Sequence, residues 1–172
     1  MQTKDLTAAA LLAALAAVCS QLLLPTPWGV PVSMGTLAVF LAAGLLGARC
    51  AALSMLIYLA LGAVGVPVFA GFQGGLGVLA GPTGGYLVGY LAAAALGGLL
   101  CDRLPRMKFR LPLAFVCGLA VCYTLGSLWF VSWTGTPAVT ALTLCVLPYL
   151  PADAVKIAVA AVLCKRIKKA FP

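Results

Sequence analysis

Long apolar segments, separated by short polar or glycine-rich stretches, constrain this chain more than any other sequence feature. Hydrophobic residues make up 64% of the 172 residues and charged residues only 8%, which exceeds what a soluble domain of this length needs. A membrane-spanning helix needs roughly 20 apolar residues. The sequence therefore predicts an all-α integral membrane protein, a single domain over residues 1–172 with six transmembrane helices. The segments fall at about 6–24, 33–48, 50–64, 83–101, 112–133 and 138–165.

The last of these segments contains two prolines, Pro148 and Pro151. Proline suits the first turn of a helix and interrupts a helix interior. We therefore expect a short outer half-helix over 138–147 and the inner part of the sixth span over 151–165.

The positive charges indicate how the chain is oriented. Ten of the eleven lysines and arginines can be placed at one membrane face, and none lies in 25–32, 65–81 or 134–137. Because cytoplasmic loops carry an excess of basic residues, we expect a multi-pass protein of the cell membrane with both termini in the cytoplasm. The net charge of +8 then indicates contact with lipid headgroups rather than with nucleic acid. The tryptophans fall near the outer interface, which indole rings prefer: Trp28, Trp129 and Trp133.

The eleventh basic residue, Lys156, lies inside the last apolar segment with Asp153 one helical turn before it. A charge at bilayer depth costs at least a few kcal/mol, and such residues mark ligand or ion pathways. The alternative is a self-neutralising structural pair at a helix start. Asp153 precedes Lys165 by twelve residues, which places it about 18 Å from the inner face of a ~30 Å core.

The residues that are missing exclude several functions. The chain has no histidine and only three acidic residues, all aspartates, so it offers neither a nucleophile–base set nor His-ligated metal sites, and we expect no enzyme, metal or cofactor. It has no G-x-x-x-x-G-K-[ST] loop and therefore cannot hydrolyse ATP itself. The seven cysteines form no C-x-x-C and are expected to act as small hydrophobes.

The segment Gly62–Tyr90 is the richest in glycine. Residues 75–80 formally match a dinucleotide-binding fingerprint, but no strand–helix–strand unit surrounds them. Glycine permits unusual backbone angles, and irregular backbone at membrane depth is tolerated only where it is buried or lines a cavity. We therefore expect a glycine-rich outer loop that forms part of the substrate pocket, the alternative being an ordinary flexible loop.

Four stretches in this chain resemble the BioY family: GVPVFAGF at 65–72, GGLG at 74–77, GPTGGYL at 81–87 and LPYLPADAVK at 147–156. These proteins are the biotin-specific substrate-capture (S) components of energy-coupling-factor vitamin transporters. The resemblance implies high-affinity biotin capture at the outer face, with biotin as the transported ligand. It also implies docking on a transmembrane coupling subunit that is served by two cytoplasmic ATPases.

One position departs from the family pattern. Members often carry a polar residue, commonly glutamine, where this chain has Gly35, and Ser33 and Thr36 are the candidates to replace it. Two other functions therefore stay open: an S component for another small vitamin, and a membrane assembly subunit in which Asp153 and Lys156 only fix packing.

The charged residues match the ureido ring of biotin, which has two N–H donors and one C=O acceptor. Asp153 can accept from a ureido N–H and Lys156 can donate to the ureido oxygen, since residues three apart share a helix face. The biotin carboxylate has two candidate sites. One is Lys156, with biotin reversed. The other is the start of the fourth span, where the N–H groups of Thr83, Gly84 and Gly85 would be free.

Other predicted contacts come from aromatic and small residues. Aromatic rings and one amide can surround the sulfur ring and the chain of biotin, and the candidates are Phe69, Phe72, Gln73, Tyr86 and Tyr149. Alanines four apart on the first span let helices approach closely in lipid, and the resemblance implies that this face contacts the coupling subunit. The alternative is packing inside the chain. These alanines are Ala9, Ala10, Ala13, Ala14 and Ala17.

Overall fold

The computed structural model describes residues 3–24, 32–105, 107 and 109–170, and these residues are almost entirely helical. The predictions for residues 25–31, with Trp28, and for Arg106 and Lys108 lie outside the described residues. A short antiparallel pair, in which Leu23 faces Ser33, joins the first two helices. The elements are α1 (Thr3–Gln21), β1 (Leu23–Leu24), β2 (Val32–Ser33), α2 (Gly35–Ala63), α3 (Leu76–Ala80), α4 (Gly84–Arg103), α5 (Arg110–Thr134), α6 (Ala138–Cys145) and α7 (Leu150–Ala170).

Four helices of the described chain, α1, α2, α4 and α5, are long and apolar enough to cross a membrane. The pair α6 and α7 is bent by 53° and makes a fifth candidate span if it is counted as one broken helix. Pro148 lies in the break between these two helices, where a proline was expected to interrupt the span. The protein is therefore an all-α membrane protein with several spans.

Helix α2 is broken at Gly47, whose backbone angles of φ 74° and ψ 178° are not helical. The next amide, that of Ala48, donates a hydrogen bond of 2.9 Å to Asp102 Oδ2 at the end of α4. A Cβ atom at position 47 would lie 2.8 Å from Asp102 Oδ1. Glycine therefore serves both the turn and the close approach of the carboxylate. The predicted spans 33–48 and 50–64 correspond to the two halves of α2.

Glycines allow α4 to pack closely between α2 and α5. A Cβ atom at Gly98 would lie 2.6 Å from the backbone of Ala48 in α2, and one at Gly89 would lie 2.9 Å from Cys122 Sγ in α5. Small residues at helix crossings maximise van der Waals contact where lipid supplies no hydrophobic driving force. These contacts place the second half of α4 against α2 and its first half against α5.

The alanines of α1 divide between two faces of the helix. Ala9 and Ala13 are buried inside the chain, whereas Ala10 and Ala14 are exposed and Ala17 is half-buried. The prediction that all five form a partner surface is therefore wrong for Ala9 and Ala13. Each helical residue is rotated by about 100° from the last, so alanines one residue apart face in different directions.

Candidate functional site

One end of the bundle encloses a cavity of about 670 Å³. It lies where the starts of α2, α4 and α7 converge with the second half of α5, with α6 and with the loop between α2 and α3. Its volume falls in the range of roughly 300–1,000 Å³ that is typical of small-molecule sites, and its lining is mostly apolar and aromatic with a few polar groups, as in such sites. We take this cavity as the candidate binding site.

The charged pair lies at the wall of this cavity, near the start of α7. Asp153 is 1% exposed and Lys156 is 4% exposed, and Lys156 Nζ lies 2.7 Å from Asp153 Oδ1. Both residues line the cavity. A buried charge is tolerated only when it is paired and hydrogen-bonded, and this pair meets both conditions.

Three more residues complete the hydrogen bonds of the pair. Lys156 Nζ donates to the Ser33 carbonyl oxygen at 2.8 Å and to Thr36 Oγ1 at 3.1 Å. Thr36 Oγ1 donates in turn to Asp153 Oδ1 at 3.0 Å. The Tyr123 hydroxyl donates to Asp153 Oδ2. We refer to Ser33, Thr36, Tyr123, Asp153 and Lys156 as the charged network.

The hydrogen-bonding capacity of this network is used unequally. An ammonium group has three N–H donors, and those of Lys156 have three acceptors, on Ser33, Thr36 and Asp153. A carboxylate has about four lone-pair sites, of which Thr36, Lys156 and Tyr123 use three. Counting only hydrogen bonds between residues that the structure describes, Asp153 keeps one acceptor site on Oδ2, whereas Lys156 has no unused donor.

Aromatic side chains form much of the remaining wall. Tyr86 and Tyr90 project from α4, and Tyr149 lies just before α7. The Tyr86 hydroxyl hydrogen-bonds Ser127 Oγ at 3.2 Å, which fixes the ring against α5. A half-buried tyrosine that is held in this way presents a rigid, largely apolar face to a ligand.

The loop after α2 forms another part of the cavity wall, to which Phe69, Ala70, Gly71 and Gln73 contribute. The ring of Phe69 is buried and meets the ring of Tyr58 edge to face, with centroids 5.5 Å apart. The backbones of Phe69 and Gln73 exchange two hydrogen bonds across a tight turn, with nitrogen–oxygen distances of 2.9 and 3.3 Å. This turn contains Gly71, whose φ is 73°.

Gln21, at the end of α1, holds the same turn in place. Its Nε2 donates to the Phe69 carbonyl oxygen at 2.9 Å and, less closely, to that of Pro67 at 3.3 Å. Its Oε1 accepts from the Phe72 amide at 2.8 Å. One side chain thus supplies three hydrogen bonds to the backbone of the loop.

Most of the residues predicted to bind a ligand surround the cavity. Phe72 does not line it, because its side chain is 72% exposed. Gly84 and Gly85 do not line it either, because both are buried in helix packing. The residues that do line it are Phe69, Gln73, Thr83, Tyr86, Tyr149, Asp153 and Lys156.

The predicted anion site at the start of α4 needs a correction. The Gly84 amide donates to the Gly81 carbonyl oxygen at 3.1 Å, so it is not free as the sequence suggested. A Cβ atom at Gly85 would collide with the side chain of Trp129, whose indole donates to the same Gly81 carbonyl oxygen at 2.9 Å. The turn before α4 therefore uses the Gly84 amide and α5 packs against Gly85, so that of the three predicted residues only Thr83 lines the cavity.

Two residues of the network were missed or undervalued in the sequence. Thr36 was considered only as a replacement for a family residue, and Tyr123 was not considered. A signal was present for Tyr123, the one tyrosine of the apolar segment 112–133, because a tyrosine hydroxyl in an apolar setting needs a partner.

Comparison with known proteins gives a consistent result. The model of the BioY family matches residues 1–172. The chain is similar to the biotin transporter BioY of Rhodobacter capsulatus, with 37% identity over 160 residues, 87% of this chain and 84% of the relative. It is 38% identical over 168 residues to a probable biotin transporter BioY of Pyrococcus horikoshii, and the match covers 98% of each chain.

A solved structure has the same fold. It is the crystal structure of the S-component for biotin from an ECF-type ABC transporter, and it superposes with a TM-score of 0.89 over 98% of this chain and 95% of its own. The two sequences are 27% identical.

Proposed function

Because the chain belongs to the BioY family, we propose that it is the biotin-binding S component of an energy-coupling-factor transporter and serves biotin uptake. The family is one of transport proteins, so the chain is a transport subunit and not an enzyme. The observation that carries the proposal is the charged network, which lies at the wall of a cavity of about 670 Å³ and retains an acceptor on Asp153.

The network fits the ureido ring of biotin. The remaining lone-pair site on Asp153 can accept one ureido N–H, and the Tyr123 oxygen, whose proton points to Asp153, can accept the other. Lys156 can donate to the ureido oxygen if its hydrogen bond to Thr36 breaks. At 3.1 Å, that bond is the longest that Lys156 makes. A hydrogen bond to an ionised group in a desolvated site is about twice as strong as a neutral one.

The remaining wall suits the rest of the ligand. Tyr86, Tyr149 and Phe69 can pack against the sulfur ring and the aliphatic chain, since aromatic faces bury large apolar areas. Gln73 and Thr83 are neutral polar side chains of the lining and can contact the end of the chain.

Different observations weigh against the two alternatives, the structural charged pair and an S component for another vitamin. A pair that only fixed packing would be closed off by side chains on every side, whereas Asp153 and Lys156 border open volume. An S component for another vitamin would share the fold and differ in the ligand. The preference for biotin follows from the relatives, which are named as biotin transporters.

For the arrangement in the membrane, we propose six spans in the plasma membrane, with both termini on the cytoplasmic side. The break at Gly47 divides α2 into two shorter spans, and Arg49 and Asp102 beside it form a polar turn at the inner face. An impermeant thiol reagent should then label a cysteine introduced at Thr136 from outside sealed cells, but not one at Lys169. The opposite pattern would refute this orientation.

For the partners, we propose a transmembrane coupling subunit and two cytoplasmic ATPases, since the chain itself has no ATP-binding loop. The exposed face of α1 that carries Ala10 and Ala14 is the proposed contact, and the basic residues at the inner face are proposed to meet lipid headgroups. Ala14→Leu should impair assembly without a change in biotin affinity. Ala13→Leu should instead disturb the fold, because Ala13 is buried.

Calorimetric titration of the purified chain with biotin and a panel of small vitamins tests the proposed function. We expect saturable heat with biotin alone. Heat with a different vitamin instead would indicate an S component for that vitamin, which is the same class of protein with another substrate. No binding of any vitamin by folded protein would favour the assembly subunit.

A further inference from the structure

The wall of the cavity has two chemically different parts, here called the charged end and the loop end. One end is the charged network. The other, formed by the loop and the start of α4, is lined by neutral side chains such as Phe69, Gln73 and Thr83. Among the lining residues that the structure describes, Lys156 is the one cation. Residues 25–31, which the structure does not describe, contain no lysine, arginine or histidine in the sequence.

The other described cations are far from the loop end. Lys165 is the nearest along the chain to a lining residue, nine positions after Lys156 in α7, or about 13 Å along a helix. Arg103 and Arg110 lie at the ends of α4 and α5 that are remote from the cavity. Arg106 and Lys108 fall between these two positions in the sequence.

Lys156 itself is poorly suited to hold an anion. Its three N–H donors already have acceptors, and Asp153 at 2.7 Å both neutralises its charge and would repel a second carboxylate. At the start of α4, the Gly84 amide donates to Gly81, and neither Gly84 nor Gly85 is among the described residues that line the cavity. The cavity therefore offers hydrogen bonds to a ligand but no unpaired positive charge.

We propose that this pocket recognises its ligand through the ring end alone, so that neutral carboxamide and ester derivatives bind as tightly as the free acid. The inference rests on the proposed function, because it takes biotin as the ligand. Gln73 and Thr83 are both exposed, so a ligand group that they contact stays in water, where a charge adds little to a hydrogen bond. An ionised ligand group gains no ion pair at this end of the cavity.

A competition experiment with the intact purified chain tests the inference. Labelled biotin is displaced by unlabelled biotin and by biotinamide, which has the same shape but no charge. A biotin methylated on one ureido nitrogen serves as the control at the ring end. We expect the dissociation constants of biotin and biotinamide to agree within about threefold. The methylated compound should bind at least about tenfold more weakly than biotin, because it loses a hydrogen bond to a charged group. Measurements at two detergent concentrations correct for partitioning of the neutral compound into micelles.

The outcomes separate this inference from the function on which it rests. Biotin that binds more than about thirtyfold tighter than its amide would overturn the inference and leave the proposed function intact. If that preference disappears in Lys156→Met, biotin binds with its carboxylate at Lys156, which overturns the inference as well. Failure of both compounds to bind would overturn the proposed function and the inference together.

Discussion

The two ends of the cavity are built in different ways. The charged end is made of side chains on α2, α5 and α7 and the Ser33 carbonyl, joined by five hydrogen bonds around Asp153 and Lys156. The loop end is shaped by backbone conformation and is held to α1 by one side chain, Gln21. Sites built on regular helices are more precisely positioned than sites on loops. We therefore expect the charged end to set specificity and most of the affinity, and the loop end to add to the affinity by slowing dissociation.

The largest expected effect is that of Asp153→Asn. The substitution leaves Lys156 buried beside a neutral amide, and breaking a buried pair in this way costs roughly 2–5 kcal/mol. We expect a corresponding loss of biotin affinity, measured by titration, and a lower melting temperature. The double variant with Lys156→Met should recover stability but not binding. Normal affinity in the folded single variant would show that the pair is structural.

A smaller effect is expected for Tyr123→Phe, which removes the hydroxyl that donates to Asp153 Oδ2. A hydrogen bond to a charged group contributes about 1.5–3 kcal/mol, so biotin affinity should fall by at least about tenfold. Tyr58→Phe is the matched control, because it removes a buried hydroxyl that bonds Ser20 at 2.9 Å away from the cavity. Equal losses of affinity in both variants would contradict a specific role for Tyr123.

Gln21→Ala tests the loop end. It removes three hydrogen bonds to the loop backbone, each contributing about 0.5–1.5 kcal/mol. We expect biotin to dissociate about tenfold faster while association changes little, as is usual for variants of one binding site. Leu22→Ala, at the neighbouring exposed position, is the control and should leave dissociation unchanged. A change confined to the association rate would mean that the loop controls entry instead.

The smallest expected effect is the loss of stability in Gly71→Ala, which tests backbone strain in the loop without a steric clash. A Cβ atom would meet nothing within 4 Å at either Gly71 or Gly77, but only Gly71 has a positive φ, of 73°. Gly71→Ala should therefore cost about 1 kcal/mol of stability, from the left-handed conformation alone. Gly77→Ala, within α3, should cost nothing or stabilise slightly. Thermal unfolding of both variants measures the difference.

The sequence predicted those features of the fold and the site that depend on where apolar and charged residues occur. The apolar segments located the helices, and Asp153 and Lys156, the charges within an apolar segment, line the candidate cavity. The sequence did not predict which face of each helix is buried, because that depends on how the helix is rotated about its own axis against its neighbours. The spacing of Ala9 and Ala13 is the same as that of Ala10 and Ala14, yet only the first two are buried.

Hydrogen bonds between distant residues were also beyond the sequence. Thr36 and Tyr123 meet Asp153 from positions 117 and 30 residues away, and neither spacing leaves a local pattern. The free amides expected at the start of α4 depended on the turn before it, in which Gly81 accepts from Gly84. The hydrogen bond that closes this turn depends on backbone angles that the motif GPTGG does not determine.

The carboxylate of Asp102 has a mechanical consequence. A helix broken at glycine is a natural hinge, and the break at Gly47 would let the two halves of α2 swing independently. Because Asp102 binds the Ala48 amide at 2.9 Å, any such swing must first detach α2 from the end of α4 and forfeit a charge-assisted hydrogen bond. A force on this end of the bundle is therefore passed from α2 to α4 and on toward the cavity, rather than being absorbed by bending at the glycine.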